Sequence, residues 1–145
     1  MIPFEVRLRP GESPFRQVVY AATRAVVSGE LLPGSPFPSV REISQALKIN
    51  PNTAHKVVGE LVRAGILEVH PGIGTVVAEE RRITAQERRN LLSQEVEHVV
   101  VEARRLGLRE ADVLEAVAAR WSELFGEATG SAERVGVRIR VLEEG

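Results

Sequence analysis

Side chains suited to nucleic-acid recognition cluster in one short stretch of the sequence, residues 39–56. The stretch contains Arg41, Asn52, His55 and Lys56. An asparagine amide can both donate to and accept from adenine, and a lysine ammonium can donate to guanine O6 and N7 or to a phosphate. These residue types therefore indicate contacts to base edges and to the DNA backbone.

Helix starts within the same stretch add a second kind of anion contact. Ser39 and Asn50 are favoured helix N-caps, and Thr53 lies in the first turn of the second helix. Unpaired N–H groups and the helix dipole attract phosphate at such positions. For Asn52 and Thr53, plain helix-start chemistry is the alternative to DNA contact, and the sequence leaves both open.

Capping signals predict two short helices joined by a tight turn. Ser39 precedes Glu42 by three residues, which is the capping-box spacing at a helix start. The apolar residues Ile43, Ala46 and Leu47 then follow at helical spacing. The first helix is therefore predicted to end soon after Leu47.

The second helix is predicted to begin at Asn50-Pro51, an N-cap followed by the favoured first helical residue. Gly65 is expected to end it as a left-handed C′ residue. Its predicted buried stripe comprises Ala54, Val57, Val58 and Leu61. Two short helices with these signals predict a helix-turn-helix.

A β-hairpin, or wing, is predicted after the second helix. Two β-prone runs, 66–70 and 73–77, flank Pro71-Gly72, a pair suited to the centre of a type II turn. Gly72 and Gly74 would let a backbone N–H approach DNA closely, because no side chain intervenes. Turn geometry alone would also explain both glycines.

The N-terminal part of the chain completes this domain. A helix expected over residues 13–29 gives a winged helix-turn-helix DNA-binding domain over residues 1–79. The alternation of Phe4, Val6 and Leu8 with charged residues further predicts a short N-terminal strand.

Two further helices are predicted over residues 83–106 and 109–126, as an αα-hairpin in residues 80–126. Apolar residues recur along both at alternating spacings of four and three, the seam of a helix that packs against another helix. Two helices alone cannot enclose this surface, so we expect an identical hairpin from a second subunit to cover it. The predicted dimer interface comprises Leu92, Val96, Val99, Ala103, Leu106, Leu114, Val117, Trp121, Leu124 and Phe125.

The tail, residues 127–145, alternates Val135, Val137, Ile139 and Val141 with glycine or arginine, which predicts a strand with one apolar face. Its expected partner is the N-terminal strand or the same tail of a second subunit. The chain as a whole is thus predicted to be mainly α with a small β wing, a winged helix-turn-helix followed by a C-terminal αα-hairpin dimerisation region.

Composition limits the class of protein further. The 145 residues are 43% hydrophobic, include no cysteine and carry a net charge of −1. Disulfides and thiol catalysis are excluded, and the lack of a signal-peptide pattern or a long apolar run predicts a cytoplasmic protein with no membrane partner. Residues 36–63 carry a local excess of positive charge, enough for a small basic face.

Five segments in fixed order resemble the GntR family of bacterial transcription regulators. They are Leu31-Leu32-Pro33-Gly34, Pro38-Ser39-Val40-Arg41-Glu42, Asn50-Pro51-Asn52-Thr53, Leu61-Val62-Arg63-Ala64-Gly65 and Gly72-Ile73-Gly74-Thr75-Val76-Val77. The short remainder of the chain is similar to the YtrA-like subfamily, whose members dimerise through two C-terminal helices and often repress operons for ABC-type transporters. The resemblance implies a homodimer that binds double-stranded DNA at an inverted-repeat operator.

The resemblance also implies which residues contact DNA. Arg41 matches the family's arginine near the start of the first helix of the pair, which relatives use on the DNA backbone or a base edge. A surface ion pair with Glu42 or Glu60 is the alternative role. The candidate DNA-contact residues are Ser39, Arg41, Asn50, Asn52, Thr53, His55, Lys56, Gly72, Gly74 and Thr75.

Three positions depart from the family's pattern. Pro51 stands where many relatives outside the subfamily have a base-reading arginine, and His70 and Pro71 stand where relatives commonly have wing arginines. We therefore expect the wing to hold phosphates less strongly and recognition to depend more on the two helices.

Other classes of function remain as alternatives. The neutral net charge and the arginine-poor wing favour a protein-interaction module over other competitors. Glu95, His98 and Glu102 share one helical face, but a solvated face accounts for them better than a metal site. No nucleophile–base pair or cofactor-binding glycine motif is present, so the sequence predicts no enzyme and no cofactor. It leaves open whether a small-molecule effector binds.

Overall fold

The computed structural model of the chain describes residues 2–126 and 138–142. They belong to two compact units, and the boundary between these units falls at Arg81 and Arg82. No helix in the described part is long and apolar enough to span a membrane. The fold is mainly helical with a small β wing, as predicted.

Three helices form the body of the first unit. They are α1 (Pro14–Val27), α2 (Val40–Leu47) and α3 (Pro51–Arg63). Each helix has an N-cap residue whose side-chain oxygen accepts a hydrogen bond from a backbone N–H of the first turn. These N-cap residues are Ser13 for α1, Ser39 for α2 and Asn50 for α3. Both α1 and α2 pack against α3, so α3 is held from two sides.

One apolar cluster holds the first unit together. It draws buried side chains from all three helices, the connecting loop and the wing, and no buried side-chain polar atom among the described residues lacks a hydrogen-bond partner. Burial of this apolar area is the main stabilising term for the domain. The cluster comprises Phe4, Val18, Ala22, Ala25, Val26, Leu31, Phe37, Ile43, Ala54, Val57, Leu61, Leu67 and Val77.

The wing is an antiparallel hairpin of β1 (Leu67–His70) and β2 (Gly74–Val77). Its register places Leu67 opposite Val77, so that two buried side chains meet on the core side. The loop before α2 lies along the other edge of β2, where Pro36 forms a bridge to Val76. This added backbone pairing ties the wing to the helices that precede it.

The predicted N-terminal strand is wrong. Residues 2–8 form no β-ladder, although burial alternates along them. Phe4 is buried and stacks on Phe37 with ring centroids 5.6 Å apart, while Val6 and Leu8 pack against the same core. The alternation therefore records which side faces the core, and no neighbouring strand supplies hydrogen bonds.

The second unit begins with a strand rather than a helix. Residues Glu80–Thr84 form β3, so the predicted start of the long helix at Ile83 is wrong. Thr84 is both the last residue of β3 and the N-cap of the next helix, in a capping box with Glu87. The sequence analysis did not recognise this capping box, although Thr84 and Glu87 have the required three-residue spacing.

The remaining helices follow without a long loop. They are α4 (Ala85–Asn90), a π-helical turn (Leu91–Glu95), α5 (Val96–Arg105) and α6 (Glu110–Phe125). Gly107, with φ of 76°, ends α5, and the N–H of Leu108 donates to the carbonyl of Ala103 at 2.9 Å. This is a Schellman motif, which needs a left-handed residue and so favours glycine.

The tail contains a strand, β4 (Arg138–Leu142), which pairs with β3. This corrects both expected partners, the N-terminal segment and the tail of a second subunit. The other tail residues predicted as strand, 133–137 and 143–144, lie outside the described residues.

Candidate nucleic-acid interface

The start of α2 is fixed by a reciprocal pair of hydrogen bonds. The amide N–H of Glu42 donates to the Ser39 hydroxyl oxygen, and the amide N–H of Ser39 donates to the Glu42 carboxylate, each at 3.1 Å. The Ser39 amide, helped by its hydroxyl, lowers the pKa of Glu42 below its ordinary value. Ser39 is exposed at the start of the helix.

The turn between α2 and α3 contains an unusual backbone conformation. Lys48 has φ of 54°, and no other described non-glycine residue has a positive φ. The N–H of Ile49 donates to the carbonyl of Ser44 at 3.2 Å, so Lys48 takes the place that glycine occupies at many helix ends. Lys48 is exposed. Sequence reasoning missed this residue because side-chain type does not reveal φ.

The start of α3 presents its amide groups at the molecular surface. The Asn50 carboxamide oxygen accepts from the amide N–H of Asn52 at 2.7 Å, and Pro51 occupies the first helical position. Asn50 thus acts chiefly as the cap. The side chain of Asn52 is exposed and Thr53 is partly exposed.

The two sides of α3 differ as predicted. Ala54, Val57 and Leu61 are fully buried, and Val58 is partly buried. The opposite side, here called the outer face of α3, is exposed and comprises Asn52, His55, Lys56, Gly59 and Arg63. The structure thus brings the polar candidates of the helix together on one surface.

Arg41 lies on α2, and its side chain is exposed with no ion pair or hydrogen bond to any residue in 2–126 or 138–142. The carboxylates proposed as its alternative partners are engaged elsewhere. Glu42 accepts from Ser39, and Glu60 accepts from the Arg63 guanidinium at 2.6 and 2.8 Å. The Arg63 hydrogen bonds lower the pKa of Glu60. The ion-pair alternative for Arg41 is therefore absent.

The wing turn has the predicted geometry. The N–H of Ile73 donates to the carbonyl of His70 at 3.0 Å, and Gly72 has φ of 80°, the left-handed value that the third position of a type II turn requires. His70 Nε2 lies 3.1 Å from a carboxylate oxygen of Glu68. Thr75 is partly exposed, and its carbonyl accepts from Phe37 within the domain.

An apolar side chain at the wing tip was not expected as a functional candidate. Ile73 is 75% exposed between Gly72 and Gly74, where no neighbouring side chain covers it. Its position between two candidate glycines was the only signal in the sequence. The tip of the wing therefore presents a hydrophobic side chain next to His70 and Pro71, the positions at which relatives commonly have arginines.

The predicted dimer residues form a separate apolar surface in the second unit. Side chains of α5 and α6 line a groove of about 860 Å3, into which Trp121 and Phe125 project edge to face with centroids 5.6 Å apart. Of the ten predicted residues only Ala103 is buried. The exposed ones are Leu92, Val96, Val99, Leu106, Leu114, Val117 and Trp121, and the partly exposed ones are Leu124 and Phe125.

The stripe of acidic and histidine side chains begins at Glu95, the last residue of the π-helical turn, and continues with His98 and Glu102 on α5. Among residues 2–126 and 138–142 no group of three or more metal-ligating side chains comes together. Glu102 instead accepts a hydrogen bond from Arg105 Nε at 2.9 Å, which lowers the pKa of Glu102.

Three helices, a helix-turn-helix turn and a two-stranded wing, with an outward polar face on the second helix of the pair, define a winged helix-turn-helix DNA-binding domain. The sequence model of the protein family described as "Bacterial regulatory proteins, gntR family" matches residues 15–77, which lie within this domain. The chain belongs to the GntR family. It is a DNA-binding transcription regulator.

Two relatives from Bacillus subtilis (strain 168) extend the match beyond the domain. The uncharacterized HTH-type transcriptional regulator YhcF is 38% identical over 92 residues, covering 63% of this chain and 76% of the relative. The HTH-type transcriptional repressor YtrA is 30% identical over 95 residues, covering 65% of this chain and 73% of the relative. Within the GntR family, the chain therefore belongs to the YtrA-like subfamily.

Solved structures support the fold. A transcriptional antiterminator from Listeria monocytogenes EGD-e superposes with a TM-score of 0.74 at 20% identity, over 88% of this chain and 96% of that one. YtrA from Sulfolobus acidocaldarius, a GntR-family transcription factor, superposes with a TM-score of 0.55 at 25% identity, over 68% of this chain and 98% of that one.

Proposed function

We propose that the protein is a homodimeric repressor that binds an inverted-repeat operator in front of a transporter or similar operon. The observation that carries the DNA contact is the outer face of α3 together with Arg41. These side chains are exposed, and Arg41, Asn52, His55 and Lys56 have no side-chain partner within the described residues. Such a surface can contact base edges without first breaking internal bonds.

Each proposed contact follows from position along the two helices. Asn52 and His55 lie in the first two turns of α3, the part that enters a major groove in helix-turn-helix proteins. Lys56 follows His55, about one turn beyond Asn52, and can reach guanine or a phosphate. Ser39 and Thr53 lie at helix starts, where anions bind. The wing backbone at Gly72 and Gly74 lies against the flanking sugar–phosphate strand.

Homodimerisation is supported by the apolar surface of α5 and α6. Half or more of the Trp121 and Val99 side chains is exposed in the protomer, and the groove between the helices has an almost wholly apolar lining. Contiguous apolar surface of this kind marks a protein–protein interface. A second copy supplies the same seam with two-fold symmetry and therefore presents two copies of α3 to the DNA.

Repression and the transporter target rest on likeness alone. The relative YtrA is named a transcriptional repressor, and the YtrA-like resemblance implies transporter operons. Two-fold symmetry requires half-sites that face the same side of the duplex, spaced by one or more helical turns of about 34 Å.

Selection of duplexes from sheared genomic DNA tests this function. The protein is expected to retain a small set of fragments that share an inverted repeat, and retention should persist at near-physiological salt. An inverted repeat upstream of transporter genes, with lower expression when the protein is present, would support the repressor assignment.

A protein-interaction module is the second candidate function, favoured by the apolar wing tip and by His70 lying against Glu68 rather than unpaired. The same selection separates the two functions. Retention that shows no sequence preference and disappears as salt is raised would contradict sequence-specific DNA binding and favour the interaction module.

A further inference from the structure

Gly59 lies in the middle of α3 without a structural reason to be glycine. A Cβ built at this position meets no heavy atom within 4 Å, and the backbone is not in the left-handed region. Glycine destabilises a helix interior relative to alanine, because it has more backbone freedom to lose. The fold of the protomer therefore gains nothing from this residue and loses helix stability.

The position of Gly59 on the helix is informative. At 100° per residue it lies within about 20° of Asn52 around the helix axis, and about 10 Å further along it. Lys56 lies between them along the axis, about 40° around the helix from Asn52 and about 60° from Gly59. Val57 and Leu61 are buried on the opposite side, so Gly59 leaves a bare patch of backbone on the outer face of α3.

The dimensions of the major groove relate this patch to the DNA. The groove is about 8.5 Å deep, so a helix whose first turn reaches the groove floor meets the rim about 10 Å further along its axis. The rim is formed by a sugar–phosphate strand. A helix surface without a side chain can approach that strand closely.

We infer that Gly59 is the point at which a sugar–phosphate strand packs directly against the backbone of α3, and that it thereby sets how deeply Asn52 and His55 enter the major groove. Gly59 is a positioning residue, since it acts by permitting the contacts of others. This inference rests on the proposed DNA-binding function and adds the residue that sets the depth of docking.

The test substitutes Gly59→Ala and Gly59→Leu in the full chain and measures two properties. Without DNA, both variants should melt above the wild type, by about 2–8 °C, because helix propensity improves and no clash arises. With a duplex that the wild type selects from a random library, affinity should fall by about tenfold for alanine and further for leucine. Affinity for a scrambled duplex should change little, so the specificity ratio falls.

A matched control adds the same bulk elsewhere on the helix-turn-helix. Ala46 is exposed on α2, about 140° around that helix from Arg41. Ala46→Leu should leave the affinity for the selected duplex within about twofold of wild type. Equal losses at both positions would overturn the inference, since bulk anywhere would then suffice.

Three further outcomes overturn the inference. If the Gly59→Ala variant binds the selected duplex as tightly as the wild type, no sugar–phosphate strand packs against Gly59. Gly59→Ala that melts below the wild type shows that the fold itself requires glycine. A wild-type protein that selects no duplex refutes the proposed function as well, whereas the first two outcomes leave that function intact.

Discussion

Arg41 and Arg63 lie on neighbouring helices and are both exposed, yet they differ in their partners. Arg63 is held by Glu60 through two hydrogen bonds, whereas Arg41 has no bond to any described residue. A surface ion pair contributes little to stability but does orient its members. Of these two arginines, Arg41 is therefore the one whose guanidinium we propose as a DNA contact.

Replacing Arg41 or Lys56 by alanine tests the residue-level assignment. If either side chain contacts a base, operator binding should weaken by about 1–3 kcal/mol and discrimination at one base pair should relax. If the contact is to phosphate, all sequences should be bound more weakly and the salt dependence should be shallower by about one unit of slope. Fluorescence anisotropy over a salt series measures both.

Arg24→Ala is the matched control, since Arg24 is an exposed arginine on α1 outside the proposed contact set. It removes the same charge and should change operator affinity much less than the two substitutions above. Wild-type binding by both Arg41→Ala and Lys56→Ala would refute the site assignment.

The sequence predicted at this scale which residues of α3 are exposed, because helical spacing alone sorts Ala54 and Leu61 from Lys56. It left the partner of Arg41 undecided. The outcome depends on which cation forms the more favourable ion pair with the Glu60 carboxylate, and Arg63 is favoured because it lies three residues away on the same helix.

At the scale of the element, the start of α2 depends on one ionised carboxylate. Because Glu42 has a lowered pKa in the folded protein, its charge stabilises the fold above its unfolded-state pKa, and this contribution is lost as pH falls through the lowered folded-state value. Protonation weakens the hydrogen bond from the Ser39 amide to the carboxylate.

Glu42→Gln should therefore be less stable than the wild type near neutral pH, by a difference that shrinks on acidification. Urea unfolding of both proteins at pH values from about 7 to 3 measures this difference, and the other carboxylates cancel in the comparison. A difference that stays constant, or grows at low pH, would contradict the role of the charge in the cap.

Local signals predicted the helices with caps but failed where pairing decides the structure. Ser13, Ser39 and Asn50 announce their helices because a cap acts over three residues. The strand β3 was missed, and the strand predicted around Phe4 does not form, because a strand needs a partner distant in sequence. The partner of β3 is β4, more than fifty residues away.

At the scale of the whole molecule, the exposed seam on α5 and α6 predicts the oligomeric state. Trp121→Glu should raise the dimer dissociation constant by about a hundredfold or more, because burying an unpaired charge costs several kcal/mol. Sedimentation at micromolar concentration measures the dimer, and operator binding should be lost with it. Trp121 is half exposed in the protomer, so the circular dichroism of the helices should not change.

Val101→Glu is the control for the dimer experiment. Val101 is 61% exposed on α5, about 160° to 200° around the helix from Val99 and Ala103, and so lies outside the seam. It should remain dimeric. A wild-type protein that sediments as a monomer, or equal dissociation in both variants, would contradict the proposed interface.

The alternating spacing of four and three predicted apolar residues along one side of each helix, and most of those residues are exposed in the protomer. Whether a second subunit covers them stays a prediction. The spacing did not predict the π-helical turn at Leu91–Glu95, which adds a residue to one helical turn just before the seam residue Val96. The backbone torsion angles of Asn90, Glu95 and Val96 stay close to α-helical values, so the chain remains helical through this turn. The apolar spacing in the sequence therefore gives no sign of it.

Thr84 ends β3 and caps α4 with no loop residue between the strand and the helix. Each residue inserted at this joint would exchange the two faces of a strand, or turn the following helix by about 100°. A loop would absorb such a change in length, and this joint cannot. Among related chains, insertions and deletions should therefore be rare between the start of β3 and the first turn of α4, so that the spacing from Glu80 to Glu87 stays constant.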